Sequence, residues 1–170
     1  MTAPIDPREL RNALGRFATG VAVVTARAAD GRPVGLTVNS VAAISLEPPL
    51  VAWSLAARSA NLPAFLVARR FAINVLTEDQ EGISRRFAGP QTDRFAGVAW
   101  TPGLGGAPLL EGCLARFECR TVRRMEAGDH WLLLGALERF AYGTGTPLVF
   151  FASRYGLPDR QRGGPVPAAA

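Results

Sequence analysis

Short extended runs, each closed by a turn signal, recur from Val21 to Phe151, and this pattern constrains the chain more than any other feature. Val21-Ala22-Val23-Val24-Thr25 is dense in β-branched residues and reads as a buried strand. Asp30-Gly31 then marks a turn before another extended segment, which makes a hairpin. Between Val34 and Leu55, Val38, Val41 and Ile44 favour extended backbone, Pro48-Pro49 must interrupt it, and Leu50 to Leu55 restarts it. Phe71 to Leu76 is strand-like, and a short strand is expected near Val98 to Thr101 within the Gly- and Pro-rich excursion from Gly89 to Pro108. Cys113 to Met125 and His130 to Tyr142 are long extended runs joined at Glu126-Ala127-Gly128-Asp129, and Leu148 to Phe151 adds a last one.

Helices are few. Asp6-Pro7-Arg8-Glu9 supplies an N-cap acceptor, a proline at the first helical position and an early carboxylate, with Leu10, Leu14 and Phe17 repeating at helical spacing. The spacing predicts a helix from Pro7 to Phe17. Ser59 is placed to cap a second helix over Ala60 to Ala68, and Thr77-Glu78-Asp79-Gln80 is a capping box starting a third toward Phe87. Roughly six to eight strands in hairpin order with about three short helices predict a mainly β protein. The expected architecture is an antiparallel, Greek-key-like β-barrel, closed or nearly so, with helices over its openings, because closure removes exposed strand edges.

At 170 residues and 48% apolar composition the chain matches one domain, expected over 1–158, with a tail over 159–170 that lacks an apolar pattern and is expected to be disordered. All 19 basic residues are Arg, which excludes a Lys Schiff base and a P-loop lysine. Although the net charge is +5, the Arg residues are scattered in pairs at most, without the long basic run expected of a nucleic-acid-binding protein. Cys113 and Cys119 in one strand would lie roughly 20 Å apart, too far for a disulfide. With His130 as the single histidine, a zinc or haem site has too few ligands. No signal-like start and no membrane-length apolar stretch is visible, so the expected location is the cytoplasm, away from membranes.

Three segments carry candidate chemistry. Thr37, Asn39 and Ser40 put neutral hydrogen-bonding side chains into an apolar stretch, with Ser45 and Ser54 nearby; residue types alone favour strand capping or backbone bonding over a ligand. Arg58 and Ser59 at a helix start suit an anion such as phosphate, or an ordinary cap beside a solvated Arg. Arg85 and Arg86 near a helix end either offset its dipole or meet an anion. Gly128-Asp129-His130 places the one side chain that titrates near neutrality at a hairpin mouth.

In order and spacing, these segments resemble the flavin reductase-like family. The resemblance runs from Arg11 to Arg27 (RNALGRFATGVAVVTAR) through Gly35 to Leu55 (GLTVNSVAAISLEPPLVAWSL), RSANLPAF, FAINVL, DQEGISRRFA and DRFAGVAW to AGDHWLLLGALE and PLVFFASRY. It implies an FMN-binding split barrel, forming a homodimer, that takes hydride from NADH or NADPH to FMN or FAD and supplies reduced flavin to a partner monooxygenase. It also implies site roles. Thr37, Val38, Asn39 and Ser40 would line the flavin, Ser54, Leu55 and Ala56 would lie beside its ring, and Arg58 and Ser59 would sit near its phosphate. Arg86 and Phe87 would close the pocket, Tyr155 would supply an aromatic position, and His130 would act at the nicotinamide side. Where related sequences carry a histidine and basic or glycine residues, this chain has Phe150-Phe151-Ala152-Ser153-Arg154. That departure keeps two other readings open: a retained flavin acting directly on an organic metabolite, and a flavin-binding electron carrier.

Overall fold

A computed structural model describes residues 5–156, so the tail over 159–170 lies outside the described residues. The fold is mainly β, as the hairpin pattern predicts. Helix α1 (Pro7–Leu14) leads into β1 (Thr19–Gly20), β2 (Ala22–Arg27), β3 (Pro33–Val38), β4 (Ala42–Leu46) and β5 (Pro49–Ala56). Helix α2 (Leu62–Val67), β6 (Arg70–Val75) and α3 (Glu81–Ala88) follow. The last third contains β7 (Trp100–Pro102), β8 (Pro108–Leu110), β9 (Ala115–Ala127), β10 (His130–Tyr142), β11 (Val149–Phe151) and β12 (Arg154–Tyr155).

Seven strands form one antiparallel sheet in the order β3-β2-β6-β9-β10-β5-β4, while β1-β11-β12 and β7-β8 make two small sheets. The chain is apolar from Val21 to Val24 and again at Ala26 because both faces of β2 are covered. Ala22, Val24 and Ala26 pack into one cluster with Trp53, Phe65, Phe71 and Leu133, whereas Val21 and Val23 pack into another with Leu76, Phe87, Leu110 and Leu148. Alternation sends successive side chains to opposite faces, and both faces are covered. Beneath the second cluster Thr25, Asn74 and the backbone of Pro108 and Leu110 satisfy one another, so these buried polar groups are paired.

Local details shift several boundaries. Helix α1 ends at Leu14 rather than Phe17, because Gly15 takes the C-cap and returns its N–H to the Arg11 carbonyl. The second helix spans Leu62–Val67 instead of 60–68, since the Ser59 hydroxyl accepts the Asn61 N–H at 3.3 Å and closes a turn ahead of it. Thr77 does form the expected capping box, over a short 3-10 turn at Glu78–Gln80 that feeds α3. Cys113 falls before β9, not within it. Among the described residues no helix is long and apolar enough to cross a membrane.

Candidate functional site

Two clusters of the predicted residues form at the two ends of one short segment, Thr37 to Ser40. At the Ser40 end the link is to β5: the Ser40 hydroxyl donates to the Ser54 carbonyl at 3.2 Å and accepts the Ser54 N–H at 3.0 Å. Next along β5, Ala56 pairs with His130 on β10, which also faces Ala127 of β9. The β9–β10 hairpin closes through Gly128 and Asp129, and Gly128 takes φ +63°, a conformation that glycine adopts without steric cost. The Asp129 carbonyl accepts the Ala57 N–H at 2.9 Å, which bolts this hairpin to the turn carrying Arg58.

Within that end, the Asp129 carboxylate lies 2.7 Å from His130 Nδ1. An ionised carboxylate only accepts, so Nδ1 carries the proton of this hydrogen bond and Nε2 is the ring nitrogen left free for a ligand. The hydrogen bond from His130 holds the Asp129 carboxyl below its ordinary value, and the charges of His130 and Arg58 act in the same direction. Arg58 and Asn39 are exposed, and Ser54 and Ala56 are half-buried beside them.

At the Thr37 end the partner is α3. Thr37 donates its hydroxyl to the Ser84 carbonyl at 2.7 Å, and the Ser84 hydroxyl lies 2.8 Å from the Tyr155 hydroxyl. The Arg85 guanidinium sits 4.9 Å over the Tyr155 ring, with Phe150 edge-on to the same ring. That stack fixes Tyr155. Arg86 donates to the Ala96 carbonyl at 3.0 Å. Phe87 is buried under Gly35, where a β-carbon would come within 2.9 Å of its ring.

The geometry sorts the predicted residues by what each has left to offer. The Thr37 and Ser40 hydroxyl protons are engaged by backbone carbonyls, so toward a ligand these groups are acceptors. Val38, Leu55 and Phe87 bury their side chains in the two apolar clusters, which leaves their backbone. Asn39 and Arg58 remain as exposed polar side chains, with the Nε2 edge of the half-buried His130. Asn39 and Arg58 supply neutral and cationic donors that fit a flavin, whose reduced ring and phosphate both carry negative charge. Ser84 was not among the predicted residues; its signal was a hydroxyl three positions before Phe87 on the buried face of α3.

The family described as flavin reductase like domain matches residues 14–157. The chain belongs to it. Among relatives of this flavin reductase-like protein, the FMN reductase (NADH) SmoA of Agrobacterium fabrum is 47% identical over 92% of this chain and 88% of that protein. The reductase component of the flavin-dependent trigonelline monooxygenase of Acinetobacter baylyi is 43% identical over 90% of this chain. The chain spans about half the length of some of its relatives, 49% of the Acinetobacter protein and 45% of a Rhizobium meliloti one. The structure of the NADH:FAD oxidoreductase SgcE6 of Streptomyces globisporus, in complex with NAD and FAD fragments, superposes with a TM-score of 0.85. It is 32% identical and covered throughout its length by 95% of this chain.

Proposed function

We propose that the protein is an NAD(P)H-dependent flavin reductase that moves hydride from NADH or NADPH to FMN or FAD and supplies the reduced flavin to a partner monooxygenase. The observation that carries this reading is the chain of contacts from Ser40 to Ser54, from Ala56 to His130 and from Ala57 to Asp129, which links Thr37–Ser40, Ser54–Ala56 and the Gly128-Asp129-His130 hairpin, in a chain of this family. When bound, the flavin supplies the electron chemistry, accepting hydride from nicotinamide. The chain's residues bind and orient. Asn39 and the backbone of residues 37–40 meet the polar ring edge, Ser54, Leu55 and Ala56 form a wall, and Arg58 with Ser59 meets the phosphate. Arg86, Phe87 and Tyr155 close the Thr37 end. His130 keeps its proton on Nδ1 against Asp129 and turns Nε2 toward the nicotinamide side.

The same reading includes a curled barrel. Strands β3 and β4 are the opposite edges of the seven-stranded sheet, yet only residues 39–41 join them. Laid flat, seven strands span roughly 29 Å at about 4.8 Å per step. A link of three residues reaches about 14 Å, so curling supports the connection. A homodimer is supported by apolar side chains that lack cover: Leu10, Leu14 and Phe17 on and after α1, Ile44 and Leu46 on β4, and Phe140 and Tyr142 on β10. The free thiols of Cys113 and Cys119 suit a reducing compartment, and the cytoplasm is our assignment.

Anaerobic mixing of the protein with free FMN or FAD and either NADH or NADPH tests the function. Loss of flavin absorbance over many turnovers, saturable in free flavin, is the expected result. A stoichiometric bound flavin with no turnover of added flavin would favour direct action on a metabolite, and no bleaching with either donor would leave an electron carrier.

A further inference from the structure

Of the side chains on α3 only Ser84 and Phe87 are buried, and Ser84 has no exposed surface at all. An apolar ring gains from such a place, whereas a hydroxyl there has to be paired. We infer that Ser84 is a positioning residue for the flavin, setting the hydrogen-bonding sense of both Thr37 and Tyr155 so that the first presents an acceptor and the second a donor. The inference deepens the flavin reductase reading and rests on it, because that reading puts Thr37 and Tyr155 against the ligand.

The direction of each bond follows from what is buried. Thr37, opposite Val23 in the β2–β3 pairing, gives its proton to the Ser84 carbonyl at 2.7 Å, which leaves its lone pairs for a ligand donor. A serine inside a helix has a carbonyl one turn back to which it can donate. Ser84 does not use it: among the described residues the partner of its hydroxyl is the Tyr155 hydroxyl, at 2.8 Å. With Tyr155 as donor, the Ser84 proton would be buried without an acceptor, at the full desolvation cost. With Ser84 as donor, the free proton is that of Tyr155, which is half-buried and keeps one side toward solvent. Only this second arrangement leaves no buried proton unpaired, so Ser84 donates and the Tyr155 O–H is the group on offer. The ring is held for the task. Glu81 accepts Arg85 Nε at 2.7 Å, the Arg85 guanidinium lies 4.9 Å over the Tyr155 ring, and Phe150, paired with Tyr155 across β11 and β12, meets it edge-on. Because the ring is clamped from these sides, the Ser84 bond has one thing left to fix, the way the phenolic proton points.

A double-mutant cycle with FMN and FAD as probes tests this. Ser84→Ala, Tyr155→Phe and the double variant are each read for flavin affinity by fluorescence quenching, and for KM and kcat of flavin reduction at a saturating nicotinamide donor. Ser84→Ala keeps the carbonyl that Thr37 uses, and Tyr155→Phe keeps the ring under Arg85, so each removes a single hydroxyl. Either change should weaken flavin binding by about three- to tenfold, with the loss falling on KM rather than on kcat. The double variant should lose no more than Tyr155→Phe alone, because Ser84 acts through the hydroxyl that is then already gone. A purely structural Ser84 would instead lower the urea midpoint and leave flavin affinity at the wild-type value. That result, or losses that multiply in the double variant, overturns the inference and leaves the flavin reductase reading standing. Wild-type protein that binds neither FMN nor FAD removes that reading, and the inference with it.

Discussion

Ala152 and Ser153 both adopt positive φ, +47° and +63°, in the two-residue turn between β11 and β12. Left-handed backbone costs a residue with a β-carbon roughly 1 kcal/mol, and tight hairpins favour Asn-Gly there for that reason. Ser153→Gly should therefore stabilise the protein by about 1 kcal/mol, read as a higher urea midpoint at unchanged slope. No change would mean that the turn relaxes in solution. Tyr155, two residues on, is held by Ser84, Arg85 and Phe150, so the strain sits beside a fixed aromatic ring. At this scale residue types were only partly informative. The polar run Thr37, Asn39, Ser40 was conspicuous in the sequence, and the alternatives of ligand or backbone pairing were both visible. What no spacing rule could say is that Thr37 and Ser40 bond backbone on two different elements, because those partners lie 47 and 14 residues away.

Strands and turns were the most legible elements, since alternation and turn chemistry act locally. Helix ends were less so. Ser59 and Asn61 are both good caps, and which one starts α2 depends on how the chain leaves β5. The long β9–β10 hairpin carries another feature hidden from pattern reading: the register shifts beside Gly135, which leaves room for the Phe71 ring. Here too Glu118 on β9 is buried, accepts from the Arg139 guanidinium on β10, and also accepts the Leu104 N–H at 2.6 Å. The Arg139 hydrogen bond is the main cause that holds the Glu118 carboxyl below its ordinary value; burial opposes it, and the Leu104 N–H adds to the lowering. A carboxyl lowered in the folded state binds protons less readily than in the unfolded chain. Its stabilisation is therefore present above the unfolded value of about 4.3 and is lost as pH falls through the folded one. Glu118→Gln should cost about 1–2 kcal/mol at neutral pH, less than a wholly buried pair because Arg139 is half exposed. The difference from wild type should shrink in acid, measured by urea unfolding at pH 7 and at about pH 3. A gap independent of pH would remove the ion pair as its cause.

On the scale of the whole molecule, the sequence read as hairpins closing on themselves, and the β3–β4 link over residues 39–41 supports that reading although strand pairing alone leaves two edges. Pattern could not supply the outer apolar surface, because a sequence does not say which stripes face another chain. Leu46, 93% exposed on edge strand β4, is the sharpest test of the proposed dimer. Leu46→Arg should give a monomer by light scattering with the thermal midpoint little changed; a variant that stays dimeric would move the interface elsewhere, and a monomeric wild type would overturn the dimer. One further consequence follows from the way β2 is enclosed, with an apolar cluster on each face and β3 and β6 along its edges. Its two covered faces tie its exposure to loss of both clusters. Deuterium should enter the amides of Val23 to Ala26 last of all, at a rate that tracks global unfolding, so this one strand would serve as an internal clock for the stability of the entire chain.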